Sequence, residues 1–270
     1  MNMASSNNKD QAGALDTPQL PPQLSVVAPV RNEAGNIAPL TAEIRAALDG
    51  ALDGADPYEI VYVDDGSGDA TPEKLAEAAA ACPFLIVLRH LKSCGQSAAI
   101  ATGVKAARSP LIVTLDGDGQ NDPADIPRLL EVFRGAGEQE KDFLMVVGHR
   151  KKRRDTWLKR FSSTVANRVR SSLLGDKTPD TGCGLKVFTR ASFLDMPRFD
   201  HMHRFLPALM ILRGGKVKSV EVNHRARARG ASNYGVFDRL WVGVVDLFGV
   251  MWLKRRRLGP EIKRRSGPKP

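Results

Sequence analysis

Two acidic runs, each directly after an apolar stretch, carry the residue types in this sequence that could do chemistry. Residues 58–69 read Tyr-Glu-Ile-Val-Tyr-Val-Asp-Asp-Gly-Ser-Gly-Asp, and residues 111–118 read Leu-Ile-Val-Thr-Leu-Asp-Gly-Asp. Such β-branched runs predict buried strands of a parallel sheet, whose carboxyl ends are where open α/β folds bind ligands. Asp116 and Asp118 suit one hard divalent cation that also holds phosphate oxygens. For one run alone, Asp and Gly as ordinary turn residues explain the pattern equally well.

The elements that would position these carboxylates alternate along the first half of the chain. Strand patterns alternate with helical patterns, which predicts βαβ crossovers and an α/β fold with a mostly parallel sheet flanked by helices. Neither GxGxxG nor GxxxxGK[ST] follows the first strand, which argues against a dinucleotide dehydrogenase or a P-loop NTPase. The predicted strands are residues 24–30, 59–63, 84–88, 111–115 and 143–147, and the predicted helices are residues 37–48, from 71 onward, 95–107 and 123–133.

The second half has a different pattern. It opens with the basic run 150–154, for which a solvated helix start is one explanation, and a helix is predicted over residues 155–174. A Gly-rich turn enters a strand within residues 180–188, a helix is predicted over 201–212, and a strand over 216–222. The stretch 240–253 is apolar, is too short to span a bilayer and is followed by a basic run. It predicts an amphipathic helix at a membrane surface, with a last core helix as the alternative.

Length and composition set the domain organisation. The 270 residues suffice for one sizeable core, and three cysteines without CxxC spacing argue against a disulfide framework and a zinc site. We expect a disordered tail at residues 1–23, one domain at 24–235, the membrane-surface helix at 236–257 and a basic tail at 258–270. The polar first segment lacks the apolar core of a signal peptide, and we expect a cytoplasmic protein.

The net charge of +10 hides a strong asymmetry along the chain. Residues 1–148 contain 11 Lys and Arg against 21 Asp and Glu, and residues 149–270 contain 29 against 9. The acidic half suits a cation or a polyol, and the basic half suits an anionic partner. Nucleic acid, an anionic membrane and a phosphorylated lipid all fit this charge pattern.

Five motifs follow one another along the chain: Pro-Val-Arg-Asn-Glu at 29–33, Val-Asp-Asp-Gly-Ser-Gly-Asp-Ala-Thr at 63–71, Leu-Asp-Gly-Asp-Gly-Gln-Asn-Asp-Pro at 115–123, Asp-Thr-Gly-Cys-Gly at 180–184 and Arg-Ala-Arg-Gly-Ala-Ser-Asn-Tyr at 227–234. In this order they resemble the family 2 glycosyltransferases with a GT-A fold, and among them the dolichol- or polyprenyl-phosphate mannose (hexose) synthases. The resemblance extends over residues 25–257. It implies a nucleotide-sugar donor and Mg²⁺ or Mn²⁺ as cofactor.

The resemblance implies roles for residues on the donor side. Pro29, Asn32 and Glu33 would line the nucleotide pocket, and Asp65 would bind the base or the ribose. For Asp64 we favour a turn or helix cap after the strand. The metal on the donor pyrophosphate would be held by Asp116, Asp118 and Gln120.

The resemblance also implies an acceptor that carries a phosphate. A phosphate monoester is largely a dianion at pH 7 and needs no dedicated base, whereas a hydroxyl acceptor does. Asp118, Asp180 and Arg227 would be the catalytic residues, with Asp180 either orienting the acceptor or acting as a weak base. Arg204, Arg227 and Ser232 would bind the acceptor phosphate, whereas Arg225 and Arg229 fit a solvated edge as well as a site.

The predicted activity is therefore inverting transfer of a hexose, with mannose from GDP-mannose as first choice, onto a polyprenyl phosphate at the inner membrane face. The protein would touch the anionic membrane peripherally and bind no nucleic acid. The alternatives are a family 2 enzyme that uses UDP-glucose, UDP-N-acetylglucosamine or UDP-galacturonic acid, or a hydroxyl acceptor. The third alternative is a non-enzymatic protein that binds anionic membranes or nucleic acid.

Overall fold

The computed structural model describes residues 21–52, 58–150, 173–176, 178–225 and 236–256, with the backbone alone for 236–242. Within these residues the strands are β1 (Leu24–Val30), β2 (Tyr58–Asp64), β3 (Leu85–Arg89), β4 (Leu111–Thr114), β5 (Leu144–Arg150), β6 (Lys186–Thr189) and β7 (Lys216–Val222). The α-helices are α1 (Ala34–Leu48), α2 (Thr71–Ala81), α3 (Gln96–Ala106), α4 (Ile126–Arg134), α5 (Glu138–Lys141), α6 (Arg190–Leu194), α7 (Leu206–Leu212) and α8 (Val236–Arg255).

The strands form one sheet in the order β3-β2-β1-β4-β6-β5-β7. Strand β6 runs antiparallel to both of its neighbours, and the other paired strands are parallel. The α/β fold with a mostly parallel sheet is thus confirmed. Because β4 and β5 both pair with β6 in the antiparallel sense, their carboxyl ends lie at the same edge of the sheet.

Helices cover both faces of the sheet. On one face α1, α2 and α4 bury side chains such as Ile37, Leu75 and Leu129 against the strands. On the other face α3, α6, α7 and α8 contribute a second apolar cluster. Burial on both faces explains why β1, β2 and β4 read as nearly continuous apolar runs.

The helix predicted over residues 201–212 is interrupted. A short 3₁₀ helix covers Met202–Arg204, and α7 begins only at Leu206. Pro207 lies in the first turn of α7, where its missing N–H costs nothing, so the sequence favours a new helix start there. The uninterrupted helix was a wrong prediction.

Helix α8 has two different sides. Val250 is 2% exposed and, with Leu247 and Met251, packs on the second apolar cluster. Phe248 and Trp252 are 62% and 61% exposed. Among the described residues, no helix combines the length and apolarity needed to cross a bilayer. The proposed tails and the helix at 155–174 lie almost entirely outside the described residues, so the domain boundaries stay predictions.

Candidate active site

The carboxyl ends of β1, β2 and β4 meet at one edge of the sheet, as their sequences predict. The backbone N–H of Asp65 donates to the carbonyl of Val30 over 2.9 Å, and that of Leu115 donates to Val27 over 3.2 Å. Pro29 belongs to β1 itself. The two acidic runs and the first motif therefore lie side by side.

Asp116 and Asp118 follow β4 in a tight turn that depends on two glycines. A Cβ on Gly117 would collide with the Val30 side chain and the Pro29 carbonyl, so this residue must be Gly for the turn to lie against β1. A Cβ on Gly184 would collide with the Asp116 carboxylate. The Asp-Thr-Gly-Cys-Gly motif thus allows its backbone to lie directly against the first carboxylate.

The surroundings of the Asp116 carboxylate disfavour its ionised form. Gln96 at the start of α3 donates to Asp116 Oδ1 over 2.8 Å, and the Asp116 backbone N–H donates to the Asn121 side-chain oxygen over 2.9 Å. Burial and the neighbouring Asp118 carboxylate raise the pKa of Asp116. A divalent cation between two such carboxylates removes the repulsion that raises this pKa. Their oxygen chemistry and the charge already accumulated there fit Mg²⁺ or Mn²⁺.

Gln120, the third predicted ligand, follows in the same turn. Its backbone N–H donates to Asp118 Oδ1 over 3.1 Å, and its carbonyl accepts from the Arg225 backbone N–H over 3.1 Å. Gln120 is half-buried, and the turn keeps it close to Asp118. Its place in the metal shell stays a prediction.

Asn32 and Glu33 connect the end of β1 to the second acidic run. Asn32 has a φ of 55°, in the left-handed region that Asn tolerates better than most residues. Its backbone N–H donates to Ser67 Oγ, and its side-chain oxygen accepts from the Gly68 N–H, each over 2.9 Å. The Glu33 N–H donates to Thr71 Oγ1 over 2.9 Å. These residues shape the predicted nucleotide loop, and direct binding by them stays a prediction.

Asp64 lies where the turn-cap interpretation puts it. Its Oδ1 accepts the Ser67 backbone N–H over 2.9 Å, and the Arg89 guanidinium lies 3.1 Å from its Oδ2. The carboxylate is buried and closes the turn after β2.

Asp65 is held by four donors from one loop. Its two oxygens accept from His90 Nδ1, Ser93 Oγ and the backbone N–H groups of Cys94 and Gly95, at 2.7 to 2.9 Å. Burial alone would raise the pKa of Asp65, but these hydrogen bonds together lower it. Asp65 therefore fixes the loop that leads into α3, and a contact with the base or ribose stays a prediction.

His90 and Cys94 also bring potential metal-ligand atoms near Asp65, all within 4.8 Å of one another. His90 Nε2 is already 3.0 Å from Thr102 Oγ1, and its Nδ1 is hydrogen-bonded to Asp65. Because these atoms are already paired within the chain, we interpret the group as a hydrogen-bond network.

Asp180 forms an ion pair that the sequence does not reveal. Arg150, the last residue of β5, donates from Nε to Oδ2 over 2.6 Å and from Nη2 to Oδ1 over 2.8 Å. The side chains of Arg150 and Asp180 are 12% and 9% exposed. A solvated helix start is therefore wrong for Arg150, whose guanidinium lies inside the site. Residues 151–154 lie outside the described residues.

Arg204 is brought toward α3 by the 3₁₀ helix that contains it. The His203 backbone N–H donates to Ser97 Oγ over 3.1 Å, and Ser97 Oγ is 2.8 Å from His203 Nδ1. Burial, with a smaller contribution from the Arg204 charge, lowers the pKa of His203 to about 3. The Arg204 charge also acts on Asp246 of α8, and a contact of Arg204 with the acceptor stays a prediction.

The arginine motif is described only at its beginning. Arg225 donates to Glu43 Oε2 over 2.6 Å and to Asp122 Oδ1 over 2.7 Å, and so ties the end of β7 to α1 and to the turn after β4. Arg225 thus makes contacts that join three parts of the fold, and the prediction of a solvated strand edge or loop does not describe it. Arg227, Arg229 and Ser232 lie outside the described residues, and their roles stay predictions.

Three site residues were missed in the sequence: Gln96, Arg150 and Lys186. Arg150 ends an apolar strand parallel to β4, so its position at the carboxyl edge was a usable signal once β5 was predicted. Lys186 stands alone in an apolar strand segment and is buried, a pattern that calls for a partner. Gln96 carries no signal beyond following a loop glycine.

The fold and the acidic pair define a transferase of the class that the motifs resemble. A family model described as glycosyl transferase family 2 matches residues 25–196, and the chain belongs to this family. It is 32% identical over 242 residues to the dodecaprenyl-phosphate galacturonate synthase of Rhizobium johnstonii, covering 88% of this chain and 69% of that protein. It is 35% identical over 215 residues to the undecaprenyl-phosphate 4-deoxy-4-formamido-L-arabinose transferase of Aeromonas hydrophila, covering 79% and 63%.

Solved structures agree on the fold. Glucosyl-3-phosphoglycerate synthase from Mycobacterium tuberculosis, in complex with Mn²⁺, UDP and its product, superposes with a TM-score of 0.63 at 17% identity, covering 86% of this chain and 80% of that one. A mannosyltransferase from Pyrobaculum calidifontis in complex with GDP-mannose and Mn²⁺ superposes with a TM-score of 0.59 at 19% identity. The match covers 90% of this chain and 66% of that one.

The relatives do not support the first choice of sugar. Mannose from GDP-mannose was expected, whereas the two curated relatives are named for galacturonate and a formamido-arabinose. Among the alternatives from the sequence, a UDP-sugar agrees better with these names.

Proposed function

We propose that this protein is an inverting glycosyltransferase that moves a sugar from a UDP-sugar, with UDP-galacturonic acid as first candidate, onto a polyprenyl phosphate. The observation that carries the proposal is the Asp116–Asp118 pair at the carboxyl edge of a GT-A sheet. The sugar and the acceptor class are supported by the name of the 32% identical galacturonate synthase. The acceptor class is further supported by the relative named for undecaprenyl phosphate.

A divalent cation, Mg²⁺ or Mn²⁺, would be held by Asp116 and Asp118 with Gln120, and would neutralise charge that develops on the leaving nucleoside diphosphate. Hydrogen bonds within the chain already position the Asp116 carboxylate and backbone. Gln96 orients the Asp116 carboxylate, and Asn121 fixes the backbone of the same residue.

The acceptor chemistry agrees with the pairing of Asp180. A phosphate monoester is already an anionic nucleophile at pH 7 and can attack the anomeric carbon in line without a base. Arg150 occupies both oxygens of Asp180, so we infer that Asp180 orients the acceptor rather than taking a proton. Arg150, with Arg204 and Arg227 of the predicted acceptor site, would supply the positive charge that two bound anions require, and Ser232 would add a hydrogen-bond donor.

We also propose that α8 holds the protein on the inner face of the membrane, where the lipid acceptor lies. Val245, Phe248 and Trp252 form one exposed side of the helix, at spacings of three and four residues. Lys254 and Arg255 follow at its end and are exposed. An apolar side next to basic residues suits an anionic lipid surface.

The test is transfer of labelled sugar by the purified protein, with Mn²⁺ or Mg²⁺, a short polyprenyl phosphate and a panel of nucleotide sugars. We expect label from UDP-galacturonic acid to enter the organic phase as a mild-acid-labile lipid. Asp118→Asn should reduce the rate by about a hundredfold or more, because it removes a metal ligand. Asp142→Asn, at an exposed carboxylate outside the site, is the matched control and should keep wild-type activity.

Label that reaches the lipid from a different donor would replace galacturonic acid and keep the reaction class. Label that reaches only hydroxyl-bearing glycans would overturn the phosphate acceptor. No transfer from any donor, with metal and detergent varied, would overturn the proposal as a whole.

A further inference from the structure

The segment 223–225, directly after β7, lies along the turn that follows β4. Asn121 and His224 form an isolated antiparallel bridge between the two. The Arg225 backbone N–H donates to the Gln120 carbonyl over 3.1 Å. Two pieces of backbone that are far apart in the sequence therefore pair where the predicted metal ligands lie.

The Arg225 side chain adds two charged contacts to this backbone pairing. Its Nη2 donates to Asp122 Oδ1 over 2.7 Å, and its Nη1 donates to Glu43 Oε2 over 2.6 Å. The Asp122 side chain belongs to the turn and is 13% exposed, whereas Glu43 lies in α1 and is 40% exposed. Because α1 packs on the sheet, the guanidinium fastens the turn to a fixed part of the fold.

The turn after β4 positions both predicted metal-binding carboxylates through its own residues. The Gln120 N–H donates to Asp118 Oδ1 over 3.1 Å, and the Asn121 side chain accepts from the Asp116 N–H over 2.9 Å. Gly119 has a φ of 73°, and glycine loses more conformational freedom on folding than any other residue. The shape of this turn therefore depends on contacts from outside it.

A surface ion pair is the simpler explanation for Arg225, whose side chain is 40% exposed. Exposed ion pairs contribute little to stability. However, the backbone of the same residue binds Gln120, and its guanidinium binds the less exposed Asp122. Both contacts converge on one turn, which a pair that only decorates the surface does not explain.

We propose that Arg225 is a positioning residue for the divalent cation, because it holds the turn of Asp118 and Gln120 in its metal-binding shape. It acts through Gln120 and Asp122 and is not itself a ligand. This inference rests on the metal assignment of the proposed function. It adds the residue that supports the predicted ligands from the end of β7.

The direction of the change in Mn²⁺ affinity separates positioning from simple charge. Removing a cation near carboxylates would by itself strengthen Mn²⁺ binding. Removing a group that orients the ligands weakens metal binding, typically by about 10- to 100-fold. We therefore expect Arg225→Met to bind Mn²⁺ about tenfold more weakly, although a positive charge has been lost.

The experiment titrates Mn²⁺ into the full chain without nucleotide and follows free Mn²⁺ by electron paramagnetic resonance. Arg225→Lys keeps the charge but has no planar fork to join two carboxylates, so we expect an intermediate loss of about threefold. The Mn²⁺ concentration that gives half-maximal sugar transfer should rise in each variant by the same factor as in the titration.

A double-mutant cycle tests whether Arg225 acts through Asp122. Asp122 also caps the 3₁₀ helix Pro123–Asp125 by accepting from the Ala124 N–H, and Asn can keep this cap. Asp122→Asn should therefore cost less Mn²⁺ affinity in the Arg225→Met protein than in the wild type. Equal costs in the two proteins would overturn the action through Asp122.

Arg45→Met is the matched control, because Arg45 is an arginine of similar exposure that pairs with Asp49 within α1. Each of the two Met variants should lower the unfolding temperature by less than about 4 °C, but only Arg225→Met should lose Mn²⁺ affinity. Unchanged or tighter Mn²⁺ binding by Arg225→Met, or an equal loss in Arg45→Met, would overturn the inference.

Two further outcomes are separated by the same titration. If Arg225→Met does not fold, unchanged Mn²⁺ binding by Arg225→Lys overturns the inference in its place. A wild-type protein that binds no Mn²⁺ would overturn the metal assignment first, and this inference with it.

Discussion

Single residues in the acidic run after β2 do different work although they look alike in the sequence. Asp64 closes its own turn through Ser67, whereas Asp65 reaches across to the loop before α3. Asp69 accepts hydrogen bonds from Thr71 at the start of α2. Each carboxylate thus satisfies backbone or side-chain donors that would otherwise be buried without a partner.

Asp65→Asn should destabilise the protein at pH 7 by about 1.5–3 kcal/mol, because the hydrogen bonds to a charged acceptor are weakened. The lowered pKa of Asp65 means that its ionised form is favoured in the folded state. Its contribution to stability is therefore complete above the unfolded pKa of about 3.9 and is lost as pH falls through the lower folded value. Urea unfolding of both proteins between pH 7 and pH 2.5 measures this difference.

Glu77→Gln is the control, since Glu77 is exposed and pairs with Lys74 on the same helix. It should change stability by less than about 0.5 kcal/mol. A difference between wild type and Asp65→Asn that stays constant down to pH 2.5 would contradict the assigned role of the charge.

Helix α3 is the element that places the site against the sheet. Its first residues, Gln96 and Ser97, contact Asp116 and His203. Near its end, Gly103 faces β1 and β2 so closely that an added Cβ would lie 2.5 Å from Val27 Cγ1 and 3.1 Å from Val63 Cγ2. Because Gly103 has no side chain, α3 can pack this close to the sheet.

Gly103→Ala should therefore destabilise the fold by about 1–3 kcal/mol, although Ala is the better helix former, because valines in buried strands have few alternative rotamers. At roughly 2–4 °C per kcal/mol for a chain of this size, thermal unfolding should detect the change. The displaced helix should also reduce sugar transfer through Gln96.

Gly249→Ala in α8 is the matched control, because nothing lies within 4 Å of the added Cβ. This variant should keep or slightly raise the unfolding temperature, since Ala gains about 0.5–1 kcal/mol over Gly inside a helix. Equal effects of the two substitutions would show that close packing of α3 is not what Gly103 provides.

The whole molecule is organised by charge as well as by packing. Residues 1–148 carry the acidic excess and the predicted metal ligands, and residues 149–270 carry the basic excess. Helix α8 lies in the basic part and turns one apolar side to solvent while the other packs on the core. Such a charge distribution favours a fixed orientation over a negatively charged surface.

Phe248→Ser with Trp252→Ser should weaken binding to vesicles that contain anionic lipid by about tenfold or more, because two exposed apolar side chains no longer enter the interface. Binding of the wild type should also weaken as salt rises from 0.05 to 0.5 M, since screening reduces the contribution of Lys254 and Arg255. Vesicle sedimentation measures both effects.

Leu91→Ser is the control for exposure alone, because Leu91 is fully exposed and lies far along the chain from α8. It should leave vesicle binding unchanged. Wild-type protein that stays in the supernatant with anionic vesicles at low salt would refute the membrane role of α8, and self-association through the same side would point to a second copy instead.

The sequence by itself determined the α/β class, the bounds of β1 to β4 to within one residue, and the meeting of the acidic runs at one edge. Strand periodicity, turn residues and the right-handed crossover act over short stretches of chain, so they can be read locally. The tertiary structure alone decided the reversal of β6, which brings Gly184 against the Asp116 carboxylate. It also decided the Arg150–Asp180 pair and the capture of Asp65 by the loop before α3. These contacts join residues far apart in the chain, and their energies depend on burial that exists only once the sheet and its helices have packed together.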